Sequence, residues 1–191
     1  DEQELDQYLV NSALQGASLL TRAGGDILTE DVLGNIAREM VLTEAIIRRL
    51  ASRYDVSLLR AMHVLGPLFL EDEEKTRKYA TELKVLMPLD NIKFDIKYNN
   101  DSNKYFIEIN QFVHGNLQTS KLDEEFLLSG EYRQIIKSSE LTKNLIGDDG
   151  EISRGEKSQR VNNFHDALTW LINEAKRTLN IQRYKGLGEM N

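Results

Sequence analysis

Two basic residues and two glycines near the end of the sequence are of the types that could form a phosphate-binding turn. Arg183 and Lys185 lie two residues apart, and Gly186 and Gly188 follow them. We predict a strand over Ile181–Tyr184, which would deliver both cations to its end. The glycines let the backbone turn or approach a partner closely, and basic side chains beside backbone amides can hold a phosphate. The alternative is a strand-to-loop turn with solvated charges, which the spacing alone favours.

A second basic group ends a long predicted helix over 29–54. Arg48, Arg49 and Arg53 lie in its last turns. A basic helix face of this kind could contact DNA phosphates. Cations are also expected at a helix C-terminus, because they interact favourably with the helix dipole. Both interpretations stay open, and Arg49 and Arg53 are our candidate DNA-binding residues here.

The residues that usually perform catalysis or bind metals are sparse. No cysteine is present, which excludes disulfides, thiolate zinc sites and cysteine catalysis and fits a cytoplasmic protein. The acidic pairs Glu124–Glu125 and Asp148–Asp149 are interpreted as a helix start and a surface turn. Three histidines have no metal-binding or catalytic spacing: His63, His114 and His165. We therefore predict no catalytic residue, no metal site and no cofactor in this chain.

Composition limits the remaining classes of protein. The chain has 191 residues, of which 40% are hydrophobic and 29% charged, and this suits one large domain or two small ones. No apolar run approaches the roughly 20 residues that a transmembrane helix needs, so no membrane partner is expected. A net charge of −7 argues against DNA binding over the whole surface. Any nucleic-acid contact must be local.

Hydrophobic spacing predicts a helical first half. The apolar stripe of the helix over 29–54 repeats at steps of three and four residues. Its predicted members are Val32, Ile36, Met40, Ile47, Leu50 and Tyr54. Thr29 and Ser57 are the expected caps of this helix and of the next one. The remaining predicted elements of this half are helices over 1–14, 57–65 and 71–86 and a brief strand over 17–21.

The middle of the chain changes to a period of two. Apolar residues alternate with charged ones from Ile92 to Tyr98, a return strand covers Tyr105–Ile109, and a third passes through Leu117 and Thr119. Helices are predicted again from residue 123, with a break at Ser129–Gly130. An extended segment follows over 152–161. A closing helix then begins at the cap Asn163. The predicted fold class is α+β, mostly helical, with a small three-stranded antiparallel meander.

The two ends of the sequence resemble a known family. Gln182-Arg-Tyr-Lys-Gly-Leu-Gly-Glu-Met-Asn191 resembles the stretch that ends the Toprim domain in B-type subunits of bacterial type II topoisomerases. Asp1-Glu2-x-x-Leu5-Asp6-x-Tyr8 resembles the helix that precedes it in DNA gyrase B subunits. The long stretch between them is similar to the insert of gyrase B from Gram-negative bacteria, including Gly130–Arg133 and Ala167–Leu171. Topoisomerase IV generally lacks this insert, so the resemblance favours gyrase.

The resemblance implies a domain organisation. Residues 1–14 would flank a Toprim fold, 15–162 would form the insert domain, and 163–191 would be the closing helix with the Toprim strand and motif. We expect both ends to be boundaries of a segment cut from a longer protein. The resemblance also strengthens the assignment of Arg183, Lys185, Gly186 and Gly188 to DNA contacts.

The resemblance further implies an activity for the parent protein. Gyrase introduces negative supercoils into DNA at the expense of ATP, with Mg²⁺ at the scissile phosphate, and its partners are DNA, the gyrase A subunit and the other domains of gyrase B. The acidic metal ligands would precede Asp1, the ATPase domain is absent from this sequence, and the cleavage tyrosine belongs to the A subunit. The segment alone is therefore expected to be inactive.

Three hypotheses remain for the insert itself. It couples DNA engagement to the ATPase through interdomain contacts, it binds DNA directly through a local basic face, or it is a passive structural insertion. Family resemblance suggests that the insert assists DNA binding and DNA-stimulated ATP turnover, which either of the first two routes would produce.

Overall fold

The computed structural model describes residues 2–87 and 91–189. Within these ranges the helices are α1 (Glu2–Leu14), α2 (Glu30–Leu50), α3 (Val56–Leu65), α4 (Glu73–Leu86), α5 (Glu124–Leu127), α6 (Gly130–Thr142) and α7 (Phe164–Glu189). The strands are β1 (Ala17–Leu20), β2 (Ile27–Leu28), β3 (Ile92–Asn99), β4 (Lys104–Val113), β5 (Asn116–Leu122), β6 (Glu151–Arg154) and β7 (Lys157–Arg160). The predicted α+β class is confirmed.

The chain forms two compact units. One consists of Asp1–Leu42 together with Leu141–Asn191, and the other of Thr43–Glu140. Each unit has its own cluster of buried apolar side chains. We call them the outer unit and the inner unit after their positions in the sequence.

The outer unit contains a four-stranded antiparallel sheet in the order β2-β1-β6-β7. Leu19 of β1 lies opposite Ile152 of β6, and both side chains are fully buried. Apolar residues at steps of three and four predict one buried face for the closing helix, α7. Four of its six members are buried, Phe164, Leu168, Leu171 and Ala175, and the other two, Ile172 and Leu179, are half-buried. The extended character of 152–161 is also confirmed, but its pairing with β1 to form a sheet was not predicted.

The inner unit contains the three-stranded antiparallel meander in the order β3-β4-β5, which confirms the prediction for this region. One face of the meander packs against helices through Ile92, Ile107, Ile109 and Leu122. The opposite face carries Lys93, Asp95, Lys97 and other polar residues, as the period of two requires.

Two predicted helix starts and one stripe residue are corrected. Asp55, not Ser57, caps α3, because its carboxylate accepts the backbone N–H groups of Ser57 at 2.8 Å and Leu58 at 3.4 Å. The α4 helix starts at Glu73 behind its cap Asp72, two residues later than predicted. Val32 is exposed, whereas its neighbour Leu33 is buried, so the apolar stripe of α2 begins one residue later.

The strand predicted over Ile181–Tyr184 is wrong, because α7 continues through this segment to Glu189. A strand needs a neighbouring strand to satisfy its backbone hydrogen bonds, whereas a helix satisfies them within itself. No described strand of the outer unit pairs with this segment. The helix is therefore the conformation that leaves fewest backbone groups without a partner.

The helices of 2–87 and 91–189 include none that is both long enough and apolar enough to cross a membrane.

Candidate nucleic-acid interface

The two cations of the C-terminal motif lie on a helix and not at the end of a strand. Arg183 and Lys185 are both exposed on α7. Residues two apart project on the same side of a strand but about 200° apart around a helix. The helix thus directs the two side chains away from each other, and the phosphate-binding turn considered for this motif does not form.

The glycines of this motif are in the same helix. A Cβ atom added to Gly186 would meet no atom within 4 Å. The close approach to a partner that glycine would permit is therefore not seen at Gly186 within the described part of the chain. Gly188 also belongs to α7, and its surroundings lie outside the described residues.

Replacing Gly186 by alanine is expected to stabilise α7, since glycine inside a helix costs about 0.5–1 kcal/mol relative to alanine. Thermal unfolding followed by circular dichroism would measure the change. Gly115→Ala is the matched control, because Gly115 also has open space around it but a φ of +80°. Alanine should be destabilising there. If Gly186→Ala were equally destabilising, the segment would not be helical.

The second candidate pair lies in the inner unit, around the end of α2. This helix ends at Leu50 and not at 54 as predicted, so Arg49 is in its last turn and Arg53 in the turn that follows. Arg49 and Arg53 are exposed. The guanidinium carbon of Arg53 lies 5.5 Å from the centre of the Tyr54 ring, within the range of a cation–π contact. The Tyr54 hydroxyl donates a hydrogen bond to the Lys121 carbonyl at 2.8 Å. Arg53 therefore lies over an aromatic ring whose hydroxyl is anchored by a hydrogen bond.

Arg53 also lines a cleft of about 650 Å³ that runs beside β5. Lys121 supplies a second cation to this cleft, and three carboxylates face them from Asp123, Glu125 and Glu131. Negative charges outnumber positive ones in the lining. The surroundings of Arg53 are acidic overall, which does not favour a DNA phosphate.

The pKa of Tyr54 reports on the same environment. Burial is the main reason that the pKa of its hydroxyl is raised to about 12. The charge of Arg53 lowers this pKa, while the carboxylates of Asp123 and Glu125 raise it. Charges of both signs thus act at the Tyr54 hydroxyl.

The six predicted DNA-binding residues do not fall in one unit. Arg49 and Arg53 belong to the inner unit, whereas Arg183, Lys185, Gly186 and Gly188 belong to the outer unit. Any role of the two groups in binding DNA must be tested separately for each.

A buried hydrogen-bond network was missed by sequence reasoning. The Thr43 hydroxyl donates to the Ser138 hydroxyl oxygen at 2.8 Å, and His63 Nε2 lies 2.8 Å from the same oxygen. Ser138 is fully buried, so this serine–histidine pair has no access to a substrate. The network stabilises packing between α2, α3 and α6.

Among residues 2–87 and 91–189, no group of three or more potential ligands could hold a metal ion.

A basic groove beside α4 was also missed. Arg77 and Lys84 lie seven residues apart on one side of this helix, and Lys93 lies on the neighbouring strand β3. The seven-residue spacing is visible in the sequence. The proximity of these two cations to Lys93 is not visible there, since it depends on how β3 packs against α4.

The fold defines a class of protein: an α+β chain with two small cores and a charged surface. Family comparison then gives the particular family. The family described as the DNA gyrase B subunit insert domain matches residues 17–175, and the chain belongs to this family.

Individual relatives agree with this assignment. Over its whole length the chain is 24% identical to the DNA gyrase B subunit of Caulobacter vibrioides and 26% identical to that of Rickettsia felis. It spans 23% and 24% of the length of these two proteins. The chain therefore corresponds to about a quarter of the gyrase B subunits that it matches.

Proposed function

We propose that this segment works within a DNA gyrase B subunit, which with the A subunit introduces negative supercoils into DNA in an ATP-dependent reaction. On this proposal the parent is a cytoplasmic type II topoisomerase that uses Mg²⁺ and ATP, and 1–14 and 163–191 flank its Toprim fold. The match of the insert-domain family to residues 17–175 supports the proposal. The division into 1–14, 15–162 and 163–191 remains a prediction.

Within that parent, the insert couples DNA engagement to the ATPase through contacts with neighbouring domains. The observation that carries this choice over direct DNA binding is the charge around Arg53. Asp123, Glu125 and Glu131 share its cleft, and the chain as a whole has a net charge of −7. Binding to DNA depends on a local excess of positive charge, which this cleft does not have.

The expected result is a loss of DNA-stimulated ATP hydrolysis when 15–162 are removed from a gyrase B protein that contains them. Coupling free energies between sites are about 1–3 kcal/mol, so we expect stimulation to fall about 5- to 150-fold. ATP hydrolysis without DNA should stay unchanged, because the ATPase domain is untouched. Steady-state ATPase assays with and without duplex DNA measure both quantities. Unchanged stimulation and supercoiling would instead make the segment a passive insertion.

The isolated 191-residue chain separates coupling from direct DNA binding. Duplex binding is measured over a salt series, with Arg49→Ala/Arg53→Ala as the variant and Arg60→Ala as the control on α3. Coupling predicts no salt-sensitive binding. Binding that weakens steeply with salt and disappears in the double variant alone would favour the direct DNA-binding hypothesis.

A further inference from the structure

One edge of the meander is open for pairing with another strand. The sheet order is β3-β4-β5, so among the strands of 2–87 and 91–189 β3 has a neighbour on one side only. The Phe112 N–H donates to the Asn91 carbonyl at 3.2 Å, and alternate residues counted from Asn91 therefore pair with β4. The residues between them direct their backbone N–H and C=O groups to the free edge. These are Ile92, Phe94, Ile96 and Tyr98.

An independent hydrogen bond agrees with this alternation. Tyr105 lies opposite Tyr98 in the register, and its N–H donates to the Leu70 carbonyl at 2.9 Å. The N–H of Tyr105 therefore points away from β3. This is the direction expected if the backbone groups of Tyr98, its partner in the register, point to the free edge. The free edge of β3 thus offers a regular row of donors and acceptors.

The α4 helix lies beside this edge and completes a groove of about 440 Å³. This volume lies within the range of roughly 300–1,000 Å³ that is typical of binding clefts. Its apolar part consists of Ala80, Phe94 and Ile96. A groove between a strand edge and a helix is a geometry that can take an extended peptide as an added strand.

The charge of the groove selects among such peptides. Its lining contains three cations, Arg77, Lys84 and Lys93, and one carboxylate, Asp95, in a chain whose net charge is negative. Lys93 Nζ lies 3.8 Å from Asp95, and both groups are solvent-exposed enough for the pair to be weak. The groove is therefore complementary to acidic side chains.

The α4 cations are available to a ligand. Arg77 forms a 2.9 Å ion pair with Glu73 one turn earlier, but exposed pairs of this kind are weak. Lys84 has no ion-pair partner within the described part of the chain. Neither cation is held strongly enough to close the groove to a competing carboxylate.

We propose that this groove binds an acidic peptide segment in an extended conformation, which pairs with β3 as a fourth strand of the meander. The peptide backbone satisfies the free N–H and C=O groups of Phe94 and Ile96, and its alternate side chains reach Arg77 and Lys84. A nucleic acid would use only the cations and would leave the row of backbone groups unpaired. The inference does not rest on the proposed function.

The test uses the 191-residue chain and an octapeptide of alternating glutamate and threonine. We expect binding, together with slower hydrogen exchange of the Phe94 and Ile96 amides. The Lys93 and Asp95 amides already pair with β4 and should not change. Because the variant replaces both cations by carboxylates that repel an acidic peptide, Arg77→Glu/Lys84→Glu should weaken binding by at least about tenfold, which corresponds to about 1.4 kcal/mol. Lys78→Glu, on the same helix but outside the groove, is the matched control.

Three results would overturn the proposal. They are no binding of the acidic peptide, equal binding of an octapeptide of alternating lysine and threonine, or equal binding of a single-stranded DNA octamer with no protection of Phe94 and Ile96. Protection of the Lys93 and Asp95 amides in every variant verifies that the meander stays folded. None of these outcomes depends on DNA gyrase activity, so a failure here leaves the proposed function unaffected.

Discussion

Replacing Leu83 by alanine is expected to lower the free energy of unfolding of the inner unit by about 2–5 kcal/mol. Leu83 is fully buried on α4, in the cluster that joins this helix to the meander. The substitution removes apolar contacts and leaves a cavity that the surrounding side chains fill only in part. This loss is a large fraction of the roughly 5–15 kcal/mol by which domains are stable.

Urea denaturation followed by circular dichroism measures this loss. The chain has a single tryptophan, Trp170, and it lies in the outer unit, so tryptophan fluorescence would not report directly on Leu83. Leu86→Ala is the matched control, since the side chain of Leu86 is 43% exposed one turn further along α4. Equal losses at the two positions would contradict the placement of Leu83 in the core.

The meander was predictable from sequence because its signals are local. Strict alternation over Ile92–Tyr98 identifies a half-buried strand, and turn residues separate it from the strands that follow. Each strand pairs with its neighbour in sequence, so no long-range information is needed. The amphipathic face of α7 was predictable for the same reason.

The sheet of the outer unit was not predictable in this way. Its strand β1 pairs with β6, and the whole inner unit lies between them in the sequence. The last strand, Lys157–Arg160, is polar and exposed throughout, so no alternation marks it. Pairing between distant short strands is decided by tertiary packing, which spacing rules do not contain.

The candidate sites also combine features that local sequence shows with features that depend on tertiary packing. The identity of Arg183 and Lys185 as a basic pair is evident from sequence, but whether they act together depends on the strand or helix that carries them. The acidic cleft around Arg53 and the basic groove beside β3 arise from residues of different elements. Their net charge is a property of packing and can be known only from structure.

Three buried tyrosines predict that the inner unit loses stability in alkaline solution. The Tyr54 hydroxyl donates to Lys121, and the Tyr79 hydroxyl donates to the Gly66 carbonyl at 2.8 Å. The Tyr132 hydroxyl oxygen accepts the Leu68 N–H at 2.9 Å. Burial raises the pKa of all three hydroxyls, and that of Tyr54 reaches about 12.

The direction of the pH effect follows from these shifts. An unfolded chain releases the tyrosine protons near pH 10, while the folded chain retains them. The stabilisation is therefore fully present below about pH 10 and is lost as the pH rises from 10 through the folded-state pKa. Each tyrosine contributes about 1.4 kcal/mol per pH unit in this window, so the three together contribute about 4 kcal/mol per unit at most.

Urea denaturation at a series of pH values from neutral to about 11 measures this loss of stability in the wild-type chain and in the variant Tyr79→Phe. The variant loses the hydrogen bond to Gly66 and is less stable at neutral pH, because that buried carbonyl loses its partner. It also has one fewer titrating group, so its stability should fall less steeply above pH 10. Every other ionisable group is common to the two proteins, so the difference between the two slopes isolates Tyr79. Identical slopes would mean that the Tyr79 hydroxyl ionises in the folded protein as readily as in the unfolded one, which its burial does not permit.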